Sequence, residues 1–180
     1  MVKRKKSYIK KINQLDTLSV HAGVKTDPLT GAVMTPIYAT STYAHDRPGE
    51  HKGYEYSRSQ NPTREVLENS IAELENGHKA FAFASGVAAQ TAVLDLLKPG
   101  DHVIAFDDLY GGTFRLFNEI KSKSSNIEFT FVDLNTNFSK EIKKNTKMIW
   151  IETPTNPLLK ITDLKSCLLY TSDAADDLRC

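Results

Sequence analysis

Four short stretches of this chain gather groups that could do chemistry, and three of them follow apolar runs that read as strands. In "FAFASGVAAQ", Ser85-Gly86 stands between an apolar run and a helix start. The free N–H groups of Gly86, Val87 and Ala88 then face outward at the positive end of the helix, which suits an anion and most naturally a phosphate. The same residues also make an ordinary turn with a serine cap. In "FDDLYGGTFRLF", Tyr110 follows a strand end and precedes two glycines. A ring so placed can lie flat on a planar ligand, or simply sit at a boundary with one wet edge. Asp107 and Asp108 beside it could be a carboxylate pair, but caps for the turn and the following helix are the simpler expectation. In "WIETPTNPLLK", two prolines in four residues fix a rigid loop from which Glu152 and Asn156 can bond a polar ligand; Thr-Asn-Pro is also plain turn chemistry. The fourth stretch, "YEYSRSQNPTR", holds two tyrosines and two arginines. Donors this dense usually hold something anionic.

The elements around these residues repeat at βαβ spacing. Pro62 suits a first helical position, and Val66, Leu67, Ser70, Ile71 and Leu74 follow at helical spacing, with Asn76-Gly77 closing the helix. "AFAFA" (80–84) reads as a strand and residues 87–97 as a helix. Strands are expected at 102–106, 127–132 and 148–152, and helices at 111–123 and 139–145. This alternation predicts an α/β domain with a mostly parallel sheet covered on both faces, and ligands beyond the carboxyl ends of its strands. Residues 1–58 are different. They carry turn signals and little periodicity, as expected of an extended N-terminal arm that wraps another subunit.

Bulk properties exclude several alternatives. Net charge is +1, with 40% apolar and 25% charged residues, which favours neither nucleic acid nor membrane. A basic cluster (Lys3, Arg4, Lys5, Lys6, Lys10, Lys11) reads as a solvated arm rather than a nucleic-acid patch, since no aromatic groove accompanies it. No run reaches the length of a membrane span, and no secretory leader follows the basic start. The two cysteines, Cys167 and Cys180, fall in the last fourteen residues, so no disulfide framework or thiolate metal site precedes them, and the cytoplasm is the default compartment. No dinucleotide or triphosphate fingerprint is present. A phosphate seat, an aromatic platform and a rigid polar loop together suit a phosphorylated planar cofactor.

"YSRSQNPTR", "ASGVAAQTAV", "DDLYGGTFRLF" and "ETPTNPLLKI", in this order and at these spacings, resemble the Cys/Met-metabolism (trans-sulfuration) family of pyridoxal-phosphate enzymes, from about Leu18 to about Lys165. The resemblance implies an aspartate-aminotransferase-like large domain (fold type I) and homotetramers built as dimers of dimers. It implies that Ser85 and the N–H groups of Gly86 and Val87 hold the cofactor phosphate, and that Tyr110 stacks on the ring. Asn156 would lie near the ring oxygen and the substrate carboxylate, with Glu152 close by. Tyr56 and Arg58 would reach the phosphate in the neighbouring subunit. Glu55 resembles the acidic residue that cystathionine-handling members place near the distal amino group. Gly111-Gly112-Thr113 stands where methionine γ-lyases resemble Gly-Cys-Thr. The implied activity is therefore cystathionine γ-lyase-like, with γ-synthase and β-lyase as alternatives, acting on cystathionine or an activated homoserine.

Residues 167–180 ("CLLYTSDAADDLRC") resemble the in-frame translation of a sequencing adaptor. The expectation is a non-native tail there and a natural protein that continues past about Ser166. On that expectation residues 59–166 are the first portion of a truncated large domain. The Schiff-base lysine would then be absent from this chain, because Lys160 and Lys165 do not sit in the family's lysine motif, and the fragment by itself would be a non-catalytic phosphate binder.

Overall fold

The computed structural model describes residues 15–167; the basic cluster at 3–11 and residues 168–180 lie outside the described residues. The chain divides into two compact units, Met1–Ala82 and Phe83–Cys180. Among the described residues no helix is long and apolar enough to cross a membrane.

The first unit holds helix α1 (Leu15–His21), an exposed antiparallel pair β1 (His45–Arg47) and β2 (Glu50–His51), and helix α2 (Pro62–Leu74). The α1 turn was not expected from the arm's turn-rich sequence. It is followed by a close approach to α2: Gly23 has φ +70°, and a Cβ there would meet Ser70 N at 2.5 Å and Val66 O at 2.7 Å. The Ser70 hydroxyl lies 2.6 Å from the Ala22 carbonyl across that junction.

Helix α2 starts as its sequence predicts. The Asn61 side-chain oxygen accepts from the N–H groups of Thr63 (2.9 Å) and Arg64 (3.4 Å), and Pro62 takes the first turn, where no N–H is needed. It ends in a left-handed Asn76 (φ 52°) with the Gly77 N–H returning to the Ala72 carbonyl at 2.8 Å. The Asn61 amide also donates to the Tyr38 carbonyl (3.1 Å) and the Ser57 hydroxyl (3.0 Å), so one side chain both caps the helix and pins the arm. Asn61→Ala should therefore cost about 1–2 kcal/mol in a urea titration, at the upper end for a cap.

The second unit holds α3 (Gly86–Leu94), β3 (His102–Phe106), α4 (Gly111–Arg115), β4 (Glu128–Val132) and β5 (Thr146–Trp150). The three strands form a parallel sheet in the order β4-β3-β5, as the alternation predicts. All five residues of the central strand are buried. Val103 and Ala105 lie opposite Phe129 and Phe131 on one side and Met148 and Trp150 on the other, so these six share a face. The helix after Tyr110 covers that face. Phe114 lies tilted at 5.1 Å from Phe131, and Phe117 stacks at 4.7 Å on Phe129 and meets Trp150 edge-on at 5.2 Å.

Three expected elements differ. Residues 80–84 pair with no described strand, and Phe81 and Phe83 are 66% and 49% exposed; an apolar run becomes a strand only when a neighbour takes its N–H and C=O groups. The expected helix at 139–145 is a single 3-10 turn, Ser139–Glu141, because four of those seven residues carry charge and offer no stripe to bury. The helix at 111–123 does form, but its middle, Leu116–Lys121, is π-helical before a last α-turn at Ser122–Ser124.

At the amino end of the sheet, His102 is fully buried on the opposite face from Phe129 and Trp150. Its Nδ1 pairs with the Thr146 hydroxyl and its Nε2 with the Thr130 hydroxyl, both at 2.8 Å. Burial, followed by the nearby Lys143 charge, pushes its pKa below the usual histidine range. The unfolded chain then takes up a proton that the folded chain refuses. Stability from this group is complete above the unfolded value of about 6.5 and falls as pH drops below it. The urea midpoint should fall between pH 7.5 and 5.5, and fall less in His102→Gln.

Candidate active site

The phosphate seat expected at Ser85 is built as a helix N-terminus. Ser85 has extended backbone and its hydroxyl accepts from the Ala88 N–H at 3.2 Å, capping α3. That leaves the N–H groups of Gly86 and Val87, which begin the helix and have no intrahelical partner. Ser85 and Gly86 are exposed, and nothing lies within 4 Å of where a Gly86 Cβ would stand. The cradle is open and rimmed by donors, which fits a phosphate.

Tyr110 precedes α4 and is 49% exposed. Its backbone N–H donates to Glu152 Oε2 at 2.8 Å, and Glu152 Oε1 accepts from the Thr113 hydroxyl at 2.9 Å. The Gln90 amide donates in turn to Thr113 Oγ1 at 3.0 Å. Thr113 is fully buried. Gln90 sits four residues into α3, about 6 Å along its axis from Gly86. One hydrogen-bonded chain thus joins helix α3, the loop at Tyr110 and the segment just after β5. The Tyr110 ring itself lies over Gly112: a Cβ there would be 2.4 Å from the ring's Cε1.

The proline loop is braced from below. Asp108 is buried, and its carboxylate accepts from the Leu158 N–H at 3.0 Å and from the Thr155 hydroxyl, itself 1% exposed. Asp107 turns the other way and meets Lys160 Nζ at 3.0 Å, with Asp133 at 3.5 Å from the same ammonium. Hydrogen bonding to Asp107, then the charges of Asp107 and Asp133, hold the lysine above its ordinary range against the cost of desolvation. The two aspartates therefore do not act as a carboxylate pair, and neither caps α4, whose start has no side-chain cap. Asn156 stands exposed at the tip of the braced loop.

In the arm's own unit, the two arginines of "YEYSRSQNPTR" have different fates. Arg64 is consumed internally: its guanidinium donates to the carbonyls of Ser57 (3.2 Å) and Ser59 (2.6 Å) and lies 3.4 Å from Glu68. Arg58 is exposed, with its guanidinium 4.9 Å from the centre of the half-buried Tyr56 ring. Tyr54 bonds Glu65, which together with burial pushes its phenol up to about 12. Glu55 is exposed beside it. Of the charged and aromatic residues of this stretch, Glu55 and Arg58 stand exposed and Tyr56 is half-buried beneath the Arg58 guanidinium.

Sequence reasoning missed Gln90, Thr113, the space above Gly112 and the brace from Asp108. A lone amide in the mostly apolar "GVAAQTAVL" was the available signal for Gln90.

A family model described as Cys/Met metabolism PLP-dependent enzyme matches residues 16–175. The chain belongs to this family of pyridoxal-phosphate-dependent enzymes. It is 54% identical over 156 residues to a cystathionine beta-lyase of Coxiella burnetii, covering 86% of this chain and 40% of that protein. It is 53% identical over 150 residues to a cystathionine gamma-lyase of Bacillus subtilis, covering 82% and 39%. The crystal structure of metB from Corynebacterium glutamicum superposes with a TM-score of 0.86 at 42% identity, covering 91% of this chain and 43% of that one. The chain thus spans about 40% of the length of the curated relatives it matches. The family's fold type I architecture and its cofactor, pyridoxal phosphate, are those the motifs imply.

Proposed function

We propose that the whole protein is a pyridoxal-phosphate-dependent trans-sulfuration enzyme of cytoplasmic sulfur amino-acid metabolism, cystathionine γ-lyase-like. The observation that supports this is the hydrogen-bonded chain from Gln90 through Thr113 and Glu152 to the Tyr110 N–H, which ties the residue with the exposed ring to the helix that starts at Ser85-Gly86. When bound, pyridoxal phosphate supplies an electron sink for charge left at Cα of an amino acid. Gly86 and Val87 hold its phosphate through their N–H groups, with Ser85 shaping the turn. Tyr110 covers one ring face and keeps water from it. Asn156 donates to the ring oxygen or the substrate carboxylate. Glu55 receives the distal amino group of cystathionine. Tyr56 and Arg58 reach the phosphate of a neighbouring copy, so the site is complete only in a homo-oligomer.

Identity does not separate γ-lyase from β-lyase relatives, at 53% and 54%. Products do. Incubation with cystathionine should yield cysteine, 2-oxobutyrate and ammonia; homocysteine, pyruvate and ammonia would instead indicate β-elimination, and consumption of an activated homoserine with cysteine would indicate γ-replacement. A purified whole protein that neither retains nor takes up pyridoxal phosphate would sink the proposal altogether. For the shared site, Arg58→Ala removes a charge-assisted phosphate contact, and cofactor affinity should fall about tenfold or more. In a mixed dimer that loss should follow the partner's arm.

A further inference from the structure

We propose that Glu152 is a positioning residue for the Tyr110 ring, with Thr113 and Gln90 behind it, and is not a substrate contact. This rests on the reading of Tyr110 as the ring that lies against the cofactor. Tyr110 is the residue from which α4 springs, and its own side chain makes no cap. A helix start leaves its first N–H groups without partners. A glutamate three residues into the helix often reaches back to the first of them. Here that position is Thr113, too short to reach, and the carboxylate arrives instead from Glu152, two residues past the end of β5. Thr113 then bonds the other oxygen of the same carboxylate, and Gln90 bonds Thr113.

Both carboxylate oxygens are thus engaged by groups whose placement sets the backbone of Tyr110. Turning Glu152 toward an amino-acid substrate would take the acceptor from the Tyr110 N–H and leave the fully buried Thr113 hydroxyl only the longer bond to Gln90 Oε1, at 3.2 Å. The negative charge also sits at the positive end of a helix, where it is favoured. With its N–H held and its ring seated over Gly112, Tyr110 keeps one tilt before any cofactor arrives.

The test uses the whole protein, labelled with nitrogen-15 at tyrosine, and pyridoxal phosphate as probe. Without cofactor, Glu152→Ala should speed exchange of the Tyr110 amide by about tenfold or more. Glu152→Gln, whose carbonyl still accepts from that N–H, should stay within about threefold of the parent. The Kd for pyridoxal phosphate should rise about tenfold in Glu152→Ala, and Glu152→Ala should add nothing to Tyr110→Ala. Unchanged Tyr110 exchange in Glu152→Ala overturns the proposal. So does a raised KM for cystathionine in Glu152→Gln with exchange and cofactor affinity unaltered. If Tyr110→Ala binds cofactor like the parent, the stacking reading fails, while exchange still decides whether Glu152 holds the backbone. Should Glu152→Ala fail to fold, Glu152→Asp shortens the reach by one carbon and must show the same faster exchange.

Discussion

Asp108→Ala should lower stability by about 2–4 kcal/mol and loosen the proline loop, because two donors lose their acceptor at once. Thr155 is 1% exposed, so its hydroxyl finds no water in exchange, and the Leu158 N–H loses the same carboxylate oxygen. Thr155 also receives the Lys160 N–H at 2.8 Å, and its own N–H returns to the Lys160 carbonyl at 3.0 Å. Removing the carboxylate therefore frees the loop that carries Asn156 at its tip. Asp108→Asn keeps an acceptor and should recover more than half of the loss. Urea titrations of the three proteins check the energy. If Asp108→Ala melts with the parent, the loop is held by its prolines and not by the carboxylate.

Gly112→Ala should separate binding from stability. The new methyl would stand 2.4 Å from the Tyr110 ring, so the ring must move, while the backbone need not. Alanine favours the helix by up to about 1 kcal/mol over glycine, so the melting temperature should hold or rise. Cofactor affinity should fall by about 2–10-fold, the worth of a well-placed aromatic contact. Thermal melts without cofactor and titrations with it measure the two arms. An unchanged affinity would mean that the ring finds a second, equally good seat.

The parts legible in the sequence are those encoded by neighbours in the chain. The strand 102–106 has four successive apolar residues between turn signals, and Asn61-Pro62 is a cap and a first turn within two residues. Ser85-Gly86 was readable for the same reason. What could not be read depends on residues far apart. Nothing near Glu152 says that its partner is the Tyr110 N–H, 42 residues earlier. Nothing near Asp108 announces Thr155, 47 residues on. Arg64 and Arg58 looked alike in sequence, and only the turn at Ser57–Ser59 decides which one is spent internally. The run at 80–84 has the composition of a strand, but strand formation is a property of a pair. The candidate site residues were named from local motifs and from resemblance and the contacts that hold them were not, because those contacts are tertiary.

The His102 imidazole bonds β4 through Thr130 and β5 through Thr146. During synthesis β3 and β4 emerge first, and until β5 docks one ring nitrogen has only water or nothing. A buried imidazole left half-bonded penalises a two-stranded intermediate that closes dry, and equally a β5 that docks one residue out of step. His102 is thus a built-in assembly check. Its two ring nitrogens would serve as a spectroscopic clock, reporting separately the arrival of the second and the third strand.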